Sequence, residues 1–395
     1  MLRGPTSTPM RLTLVTETYP PDVNGVAMTL EQLTRGMARR GHDVTVVRPD
    51  PHEAYEPSHA RITLDHVKGL PIPCYPELRF GFPAGRHLKG RWREARPDLV
   101  HVATEGPLGR SAIKAARKLG IPATTSFHTN FHTYAGLYGF KWLQRMTLRA
   151  LRGVHKQAAT TFVPSETVRR ALEPAGFENL RVMGRGVDME RFHPGRRDPE
   201  LRTSWGVDDD TPVGLYVGRL ATEKNIALTV RAFEAMTAVI PGMRCVLIGD
   251  GPLREKLERE HPEYHFAGMR LGEDLARHIA SGDVFPFASV TETFGNVVTE
   301  AMASGLLVLA YDYAAAKLHI RTGENGVRVP FGDEEAFLAA ATRLAGDVEG
   351  WQHLRDGAVE TARGLSWDAI IDGFESRLLE VAGSALGAAR LAEAT

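Results

Sequence analysis

The chain is poor in cysteine and has no long hydrophobic run. Its 395 residues include two cysteines, Cys74 and Cys245, whose wide separation fits neither a disulfide framework nor a cysteine-rich metal site. The longest apolar stretch, around 301–311, is interrupted and much shorter than the ~20 residues that span a bilayer. Residues 1–9 also lack the apolar core of a signal peptide. These features predict a cytoplasmic protein.

Two common nucleotide-binding signatures are missing as well. The nearest approach to a GxGxxG fingerprint is Gly249-Asp250-Gly251, which lacks the third glycine. A GxxxxGK[ST] phosphate loop does not occur anywhere in the sequence. The usual NAD-dependent dehydrogenases and P-loop enzymes are therefore disfavoured.

Charge is balanced over the whole chain but unevenly distributed along it. The sequence has 48 Lys and Arg residues and 48 Asp and Glu residues, yet residues 1–200 carry 30 basic and 19 acidic side chains. Residues 106–165 contain nine basic side chains and no acidic one. A field of this sign attracts anions, such as a phosphorylated ligand, nucleic acid or an anionic lipid surface.

Short β-branched runs alternate with helical patterns along most of the chain. The alternation begins at residue 11, pauses in the polar stretch 188–212 and resumes up to about residue 311. This pattern predicts parallel sheets covered by helices on both faces, and the length exceeds that of a single core. We predict an α/β fold with two doubly wound domains, over 10–192 and 205–366.

The first strand leads into a loop that is suited to anion binding. Residues 18–26 contain two prolines, then Asn24 and Gly25, just before a predicted helix. A glycine there would let backbone amides at the helix N-terminus approach a ligand closely. Since open parallel sheets bind ligands beyond the carboxyl ends of their strands, this loop is a candidate site. A tight turn with no ligand is the alternative.

Two basic residues follow a strand in the second half. Gly218 and Arg219 come directly after that strand, and Lys224 precedes the next predicted helix. Two cations in such a position could bind a diphosphate and neutralise it as it leaves. The alternative is a pair of solvated surface charges.

A third segment carries two carboxylates, Glu292 and Glu300, which are eight positions apart in the sequence. If the helix begins near Gly295, Glu292 stays in the loop and Glu300 lies just over one turn inside the helix. One carboxylate could then bind a sugar and the other the paired hydroxyls of a ribose, with helix amides directed at phosphate. The predicted binding segment also contains Phe294, Gly295, Asn296 and Val297. Helix capping by Thr293 beside a surface glutamate is the alternative.

Two histidines, His128 and His132, follow a strand of the basic half. Their spacing could suit a metal on a helix, but no further ligands are apparent, so we predict no metal site. His128 could instead hydrogen-bond to a substrate hydroxyl or help to stabilise charge. A purely structural histidine is the alternative interpretation.

Together these segments resemble family 4 glycosyltransferases of the GT-B fold. The residues that carry the resemblance are the loop 20–25, Gly218-Arg219 with Glu223-Lys224-Asn225, the segment 248–252, and Glu292 with Glu300. The similarity extends from about Arg11 to about Leu379. Residues 126–139 further resemble the branch that contains sulfoquinovosyl- and mannosyltransferases acting on diacylglycerol-type lipids.

The resemblance implies a retaining hexosyltransferase that needs no metal or other cofactor. It implies a GDP-mannose or UDP-sugar donor, and a glycolipid, diacylglycerol or saccharide acceptor. Its implied contacts are Glu300 with the ribose, Glu292 with the donor sugar, Arg219 and Lys224 with the diphosphate, Gly25 with a phosphate, and His128 with the sugar. It also implies that a helix at about 367–382 returns to the first domain. The chain departs from the family at Ala314-Ala315-Ala316, where two glycines are usual, so sugar contacts from that loop are in doubt.

A predicted helix in the basic half carries a stripe of positive charge. Its members are Lys141, Arg145, Arg149, Arg152 and Lys156, whose spacing confines them to about 80° of one face. The side chains predicted to face the core are Trp142, Leu143, Met146, Ala150 and Val154. The stripe is either a solvated face or a contact with the inner face of an anionic membrane.

Three other functions share some of these features. A GT-B-fold sugar-nucleotide epimerase would have the same architecture but release a free sugar, and pyridoxal-phosphate-dependent phosphorylases share the fold but are usually longer. The basic half could also bind nucleic acid. Since the sequence has no helix-turn-helix and no aromatic residues interleaved with basic ones, we predict no nucleic-acid partner.

Overall fold

The computed structural model describes most of the chain. The described residues run from 9 to 393, except 23, 52–53, 73–74, 129–140 and 293. Side chains are not described at 72, 75–78, 141–145, 147 and 386–393. His132 and Thr293 therefore lie outside the described residues, as do the side chains of Lys141, Arg145, Trp142 and Leu143.

The chain divides into two compact units. Unit 1 comprises residues 1–185 and 367–395, and unit 2 comprises residues 186–366. The sequence-based boundaries instead assign 186–192 to the first domain and leave 193–204 between the two domains. In the structure residues 186–204 belong to unit 2, where Phe192 is buried in the core.

Unit 1 is built on a seven-stranded parallel sheet in the order β3-β2-β1-β6-β7-β8-β9. Its strands are β1 (Arg11–Val15), β2 (Asp43–Pro49), β3 (Ile62–Val67), β6 (Leu99–Val102), β7 (Ala123–Ser126), β8 (Thr160–Val163) and β9 (Leu180–Val182). A separate antiparallel hairpin joins β4 (Gly69–Ile72) to β5 (Tyr75–Gly81). The central strands are buried along their whole length, because helices cover both faces.

Five α-helices follow strands of this unit among the described residues. They are α1 (Gly25–Arg39), α2 (Gly85–Glu94), α3 (Pro107–Lys118), α4 (Lys141–His155) and α5 (Glu166–Leu172). Helix α1 begins where the Asn24 side chain accepts hydrogen bonds from two backbone amides, and it buries Leu30, Leu33 and Met37 against the sheet.

Unit 2 contains a six-stranded parallel sheet in the order β12-β11-β10-β13-β14-β15. Its strands are β10 (Val213–Val217), β11 (Arg244–Ile248), β12 (His265–Gly268), β13 (Val284–Phe287), β14 (Leu307–Tyr311) and β15 (Val327–Val329). Its helices are α6 (Pro199–Ser204), α7 (Ile226–Thr237), α8 (Arg254–Glu260), α9 (Gly272–Ala280), α10 (Asn296–Ala303), α11 (Ala314–His319), α12 (Glu334–Ala345) and α13 (Trp351–Arg363). The two parallel sheets confirm the predicted α/β architecture.

The last helix, α14 (Trp367–Glu393), belongs to unit 1. Its apolar side chains Ile371, Phe374 and Leu378 are buried with the side chains of α1 in one core cluster. Near its start, Arg40 Nη2 lies 2.6 Å from Asp372 Oδ1. No helix among the described residues combines the length and apolar character needed to cross a bilayer.

Helix α4 presents a different face to the core from the one predicted. Val154 is buried as expected, but Met146 is 55% exposed and Ala150 is also exposed, so the prediction is wrong for these two residues. Leu151 is buried in their place, with Leu148 packed beside it. The two leucines bury more apolar area than Ala150 could, which rotates the helix relative to the predicted stripe.

Candidate functional site

The candidate loops of unit 2 meet where its strand order reverses. The sheet grows outward in one direction from β10 and in the other from β13, so the loops after these two strands are neighbours. Lys224 Nζ lies 2.6 Å from Glu292 Oε1, which also accepts a hydrogen bond of 2.7 Å from the Ser289 hydroxyl. The Thr291 hydroxyl donates to the Glu223 carbonyl at 2.8 Å. The structure thus brings together the predicted cation and carboxylate.

A glycine loop after β11 supports the segment that carries Arg219. Gly249 has a φ of 132°, and a Cβ there would lie 2.0 Å from the Gly218 carbonyl oxygen. A Cβ on Gly251 would lie 2.5 Å from the Leu220 carbonyl oxygen, while the Leu220 amide donates to the Asp250 carbonyl at 2.9 Å. These glycines allow the two loops to pack backbone to backbone, a role that the incomplete dinucleotide fingerprint did not reveal.

Helix α10 begins where the sequence predicts. Gly295 caps it with a φ of 87°, so Glu292 remains in the loop and Glu300 lies just over one turn inside. Phe294 is buried, whereas Asn296 and Val297 in the first turn are partly exposed. Burial raises the pKa of the Glu300 carboxyl to about 7, a shift that the nearby Arg191 opposes. This carboxyl therefore titrates near neutral pH.

The loop after β14 keeps a glycine-like backbone despite its alanines. Ala314 has a φ of 50°, in the left-handed region that costs a non-glycine residue roughly 1–2 kcal/mol. The next amide, that of Ala315, donates to the Phe294 carbonyl at 2.7 Å. The Tyr313 hydroxyl donates to the Glu292 carbonyl at 2.8 Å. The substitution thus leaves the loop in contact with the Glu292 segment, which the sequence alone did not indicate.

In unit 1, a buried arginine forms hydrogen bonds with the loop after β1. Arg48 on β2 is 1% exposed and donates to the carbonyls of Tyr19 and Pro20 and to Asp22, 3.2 Å away. Asn24 accepts hydrogen bonds from the first amides of α1 and donates to Thr18 at 2.7 Å, so its side chain holds the helix start. Gly25 is exposed at that start. Arg48 could have been recognised from the sequence, because it is a cation within the otherwise mostly apolar strand 43–49.

His128 lies just after β7 and contacts Arg185, the last residue of the first segment of unit 1. Arg185 Nη2 donates to His128 Nδ1 at 2.8 Å, and both side chains are buried. Burial and the neighbouring guanidinium hold the pKa of His128 well below its usual value. Because Arg185 can only donate, the neutral ring accepts at Nδ1 and carries its proton on Nε2. The sequence did not identify Arg185 as part of this site.

A second group of titratable side chains lies, like His128, at the carboxyl edge of the sheet of unit 1. His155 Nε2 is 3.2 Å from Glu105 Oε1, and its Nδ1 is 2.9 Å from the Thr125 hydroxyl. Glu17, after β1, accepts a hydrogen bond from the Leu108 amide at 3.2 Å. Burial raises the pKa of Glu17 to about 7. Sequence reasoning overlooked this group because its members lie in four separate segments.

The described side chains do not form a metal-binding cluster. Over the described ranges, no three His, Cys, Asp or Glu residues are grouped so that they could hold an ion. Each unit instead places its predicted residues at the carboxyl edge of its own sheet. In unit 2 these residues are Gly218, Arg219, Lys224, Glu292 and Glu300, and in unit 1 they are Gly25 and His128.

Comparisons with known proteins agree with this arrangement. A family model described as "Glycosyltransferase Family 4" matches residues 23–191, and one described as "Glycosyl transferases group 1" matches residues 211–347. A GDP-mannose-dependent alpha-mannosyltransferase of Mycobacterium tuberculosis is 33% identical over 92% of this chain and 94% of its own length. An alpha-monoglucosyldiacylglycerol synthase of Streptococcus pneumoniae is 27% identical, covering 76% of this chain and 71% of its own.

A solved structure shows the same fold at low sequence identity. Sucrose-phosphate synthase from Thermosynechococcus elongatus superposes with a TM-score of 0.75 and 19% identity, covering 95% of this chain and all of the other. This likeness and the two family matches confirm the predicted GT-B fold.

Proposed function

The chain belongs to glycosyltransferase family 4, and on that premise we propose that it transfers mannose from GDP-mannose to a lipid acceptor hydroxyl with retention. The chain transfers a hexose from a nucleotide sugar. The named donor of the mannosyltransferase from Mycobacterium tuberculosis supports GDP-mannose over a UDP-sugar. The diacylglycerol named for the synthase from Streptococcus pneumoniae supports a lipid acceptor over a saccharide. Both relatives are transferases or synthases, which does not support the epimerase alternative.

The contact between Lys224 and Glu292 carries this proposal. Lys224 donates a hydrogen bond to Glu292 at the point where open parallel sheets bind ligands. In the proposed mechanism, Lys224 and Arg219 stabilise the negative charge that develops on the leaving GDP. Glu292 accepts hydrogen bonds from the hydroxyls of the donor sugar. The fixed cations and the amides at the start of α10 would do the work that a divalent ion does in other transferases.

The remaining predicted residues have proposed roles in binding the substrates. Glu300 accepts hydrogen bonds from the ribose, and Gly295, Asn296 and Val297 supply amides to the diphosphate, with Gly218 and Phe294 shaping the nucleotide pocket. In unit 1, Gly25 lets amides approach a phosphate, and Asn24 keeps that helix start in place. His128 donates from Nε2 to the transferred sugar, as its neutral tautomer allows.

A lipid acceptor places the enzyme at a membrane surface. We propose a peripheral position on the inner face, where the basic side chains of unit 1 meet anionic lipid head groups. Arg149, Arg152 and Met146 on α4 are exposed, and so is Lys156 just after its end. An exposed apolar side chain among cations is typical of an interfacial helix.

Thermal unfolding with a panel of nucleotide sugars tests the donor. GDP-mannose should raise the melting temperature more than UDP-glucose or ADP-glucose, because a ligand that binds only the folded state stabilises it. Glu300→Ala should abolish the response, since the ribose loses its acceptor. Glu255→Ala, an exposed glutamate on α8, is the matched control and should respond like the wild type. An undiminished shift in Glu300→Ala would remove the ribose assignment.

The affinity for GDP-mannose should depend on pH through Glu300. The folded-state pKa is raised to about 7, so the carboxyl is largely protonated at pH 6 and ionised at pH 8. If ribose hydroxyls bind only the ionised form, the affinity should increase about tenfold between these pH values. Calorimetric titrations should show this slope in the wild type and a flat, weaker profile in Glu300→Gln. A slope that persists in Glu300→Gln would assign the titration to another group.

A further inference from the structure

Unit 1 has a groove that lies outside the proposed donor site. It runs between α2 and α3 and has a volume of about 830 Å³. Its lining includes Pro83 and Gly85 at the start of α2, and Gly106 and Pro107 at the start of α3. Six basic side chains line the groove: Arg86, Lys89, Arg110, Lys114, Arg117 and Lys118.

The positive charge of this groove is not balanced by ion pairs. Over the described part of the chain, none of the six side chains lies within ion-pair distance of a carboxylate, whereas Arg91 on α2 lies 3.9 Å from Asp65. Among the described residues of the lining, the one acid is Glu105, which is 3.2 Å from His155 Nε2. Arg110 Nε donates to the backbone carbonyl of Glu105 at 3.0 Å, a contact that does not neutralise its charge. An anionic ligand would relieve the repulsion among these cations.

Two exposed apolar side chains lie on the β4–β5 hairpin and just after it. Leu70 on β4 is 52% exposed and pairs with Phe80 across the hairpin, and Phe82, just after β5, is 39% exposed. Phe82 directly precedes Pro83 in the groove lining, and its amide donates to the carbonyl of Lys68, an exposed cation. Exposed apolar residues beside clustered cations favour binding to a lipid interface. The apolar residues contact acyl chains there, and the cations pair with head groups.

We propose that this groove binds the phosphates of anionic phospholipid head groups, with Leu70 and Phe82 entering the lipid interface. The inference rests on the proposed function in placing the enzyme at a membrane, and it names a surface other than the α4 stripe. Lysine and arginine stems can line the groove with apolar atoms while their charged ends reach phosphate oxygens. Binding to lipid can be measured without donor or acceptor, so it does not depend on the catalytic assignment.

Sedimentation of the full chain with vesicles tests the groove. The probes are vesicles of phosphatidylcholine alone and of phosphatidylcholine mixed with phosphatidylglycerol. The triple variant Arg86→Gln/Lys114→Gln/Lys118→Gln should bind the mixed vesicles on the order of 100-fold more weakly than the wild type. Phe82→Ser should also bind more weakly, and its loss should persist at high salt because it removes an apolar contact.

Two matched variants remove the same charge elsewhere. Lys256→Gln/Arg259→Gln/Arg343→Gln in unit 2 should bind vesicles like the wild type, which excludes an effect of net charge. The α4 variant, Arg149→Gln/Arg152→Gln/Lys156→Gln, changes two residues on α4 and one just after its end, and its loss should be smaller than that of the groove variant. The groove variant should retain its GDP-mannose thermal shift, which shows that it is folded and separates this test from that of the donor site.

Several results would overturn the proposal. Vesicle binding by the groove variant at wild-type strength, or a loss confined to the α4 variant, would assign the membrane contact elsewhere. If inositol hexakisphosphate binds in the groove while Phe82→Ser leaves vesicle binding unchanged, the ligand is a soluble phosphate ester. If the wild type binds single-stranded DNA as strongly as it binds the mixed vesicles, and the groove variant loses this binding, the ligand is nucleic acid instead.

Discussion

Replacing Lys224 with alanine should lower kcat for mannosyl transfer by about 10²–10³-fold. The proposed role of Lys224 is to stabilise charge that develops as GDP leaves, so the loss should fall mainly on kcat and less on KM. The substitution also removes the partner 2.6 Å from Glu292, a carboxylate that is only 13% exposed. Steady-state assays with GDP-mannose and a diacylglycerol-type acceptor measure both parameters.

A control and a conservative variant make this prediction specific. Lys256→Ala removes an exposed lysine of the same unit, whose nearest carboxylate is 3.8 Å away on the same helix, and should leave kcat unchanged. Lys224→Arg keeps the charge but changes its shape, and should recover part of the rate. A kcat for Lys224→Ala within a few fold of the wild type would reject the role of this cation in the departure of GDP.

Replacing Gly249 with alanine should strongly destabilise unit 2. The new Cβ would lie 2.0 Å from the Gly218 carbonyl oxygen, at a φ of 132° that alanine rarely adopts. Backbone atoms cannot move aside as a flexible side chain can, so we expect a cost of at least about 3 kcal/mol. For a body of this size, that corresponds to a melting temperature lower by about 6–12 °C. The Arg219 segment should shift as well, which would weaken the response to GDP-mannose.

Gly242→Ala separates the clash from the backbone strain. Gly242 also has a positive φ, 87°, but nothing lies within 4 Å of the position that a Cβ would take, so the cost there should be only about 1 kcal/mol. Differential scanning calorimetry of both variants measures the difference. Equal melting temperatures would mean that the two glycine loops are free to move apart.

Local patterns were sufficient for some elements. Helix α10 begins at Asn296, one residue after Gly295 and close to its predicted start. Parallel strands also confine functional loops to one edge, which made residues such as Arg219 and His128 recognisable. The stripe on α4 was less predictable. Its basic spacing was readable, but the choice between Ala150 and Leu151 as the buried residue depended on what packs against the helix.

The sequence therefore determined which chemical groups follow each strand, whereas the order of the strands in the sheet determined which of these groups contact each other. Lys224 and Glu292 are 68 residues apart, and His128 and Arg185 are 57 apart. No periodicity specifies such pairs, because hydrophobic spacing identifies the buried face of an element and not the loop that lies beside it. The groove between α2 and α3 has the same origin. Its six cations occupy two helices separated by β6, and only the packing of those helices on the sheet gathers their charge into one surface.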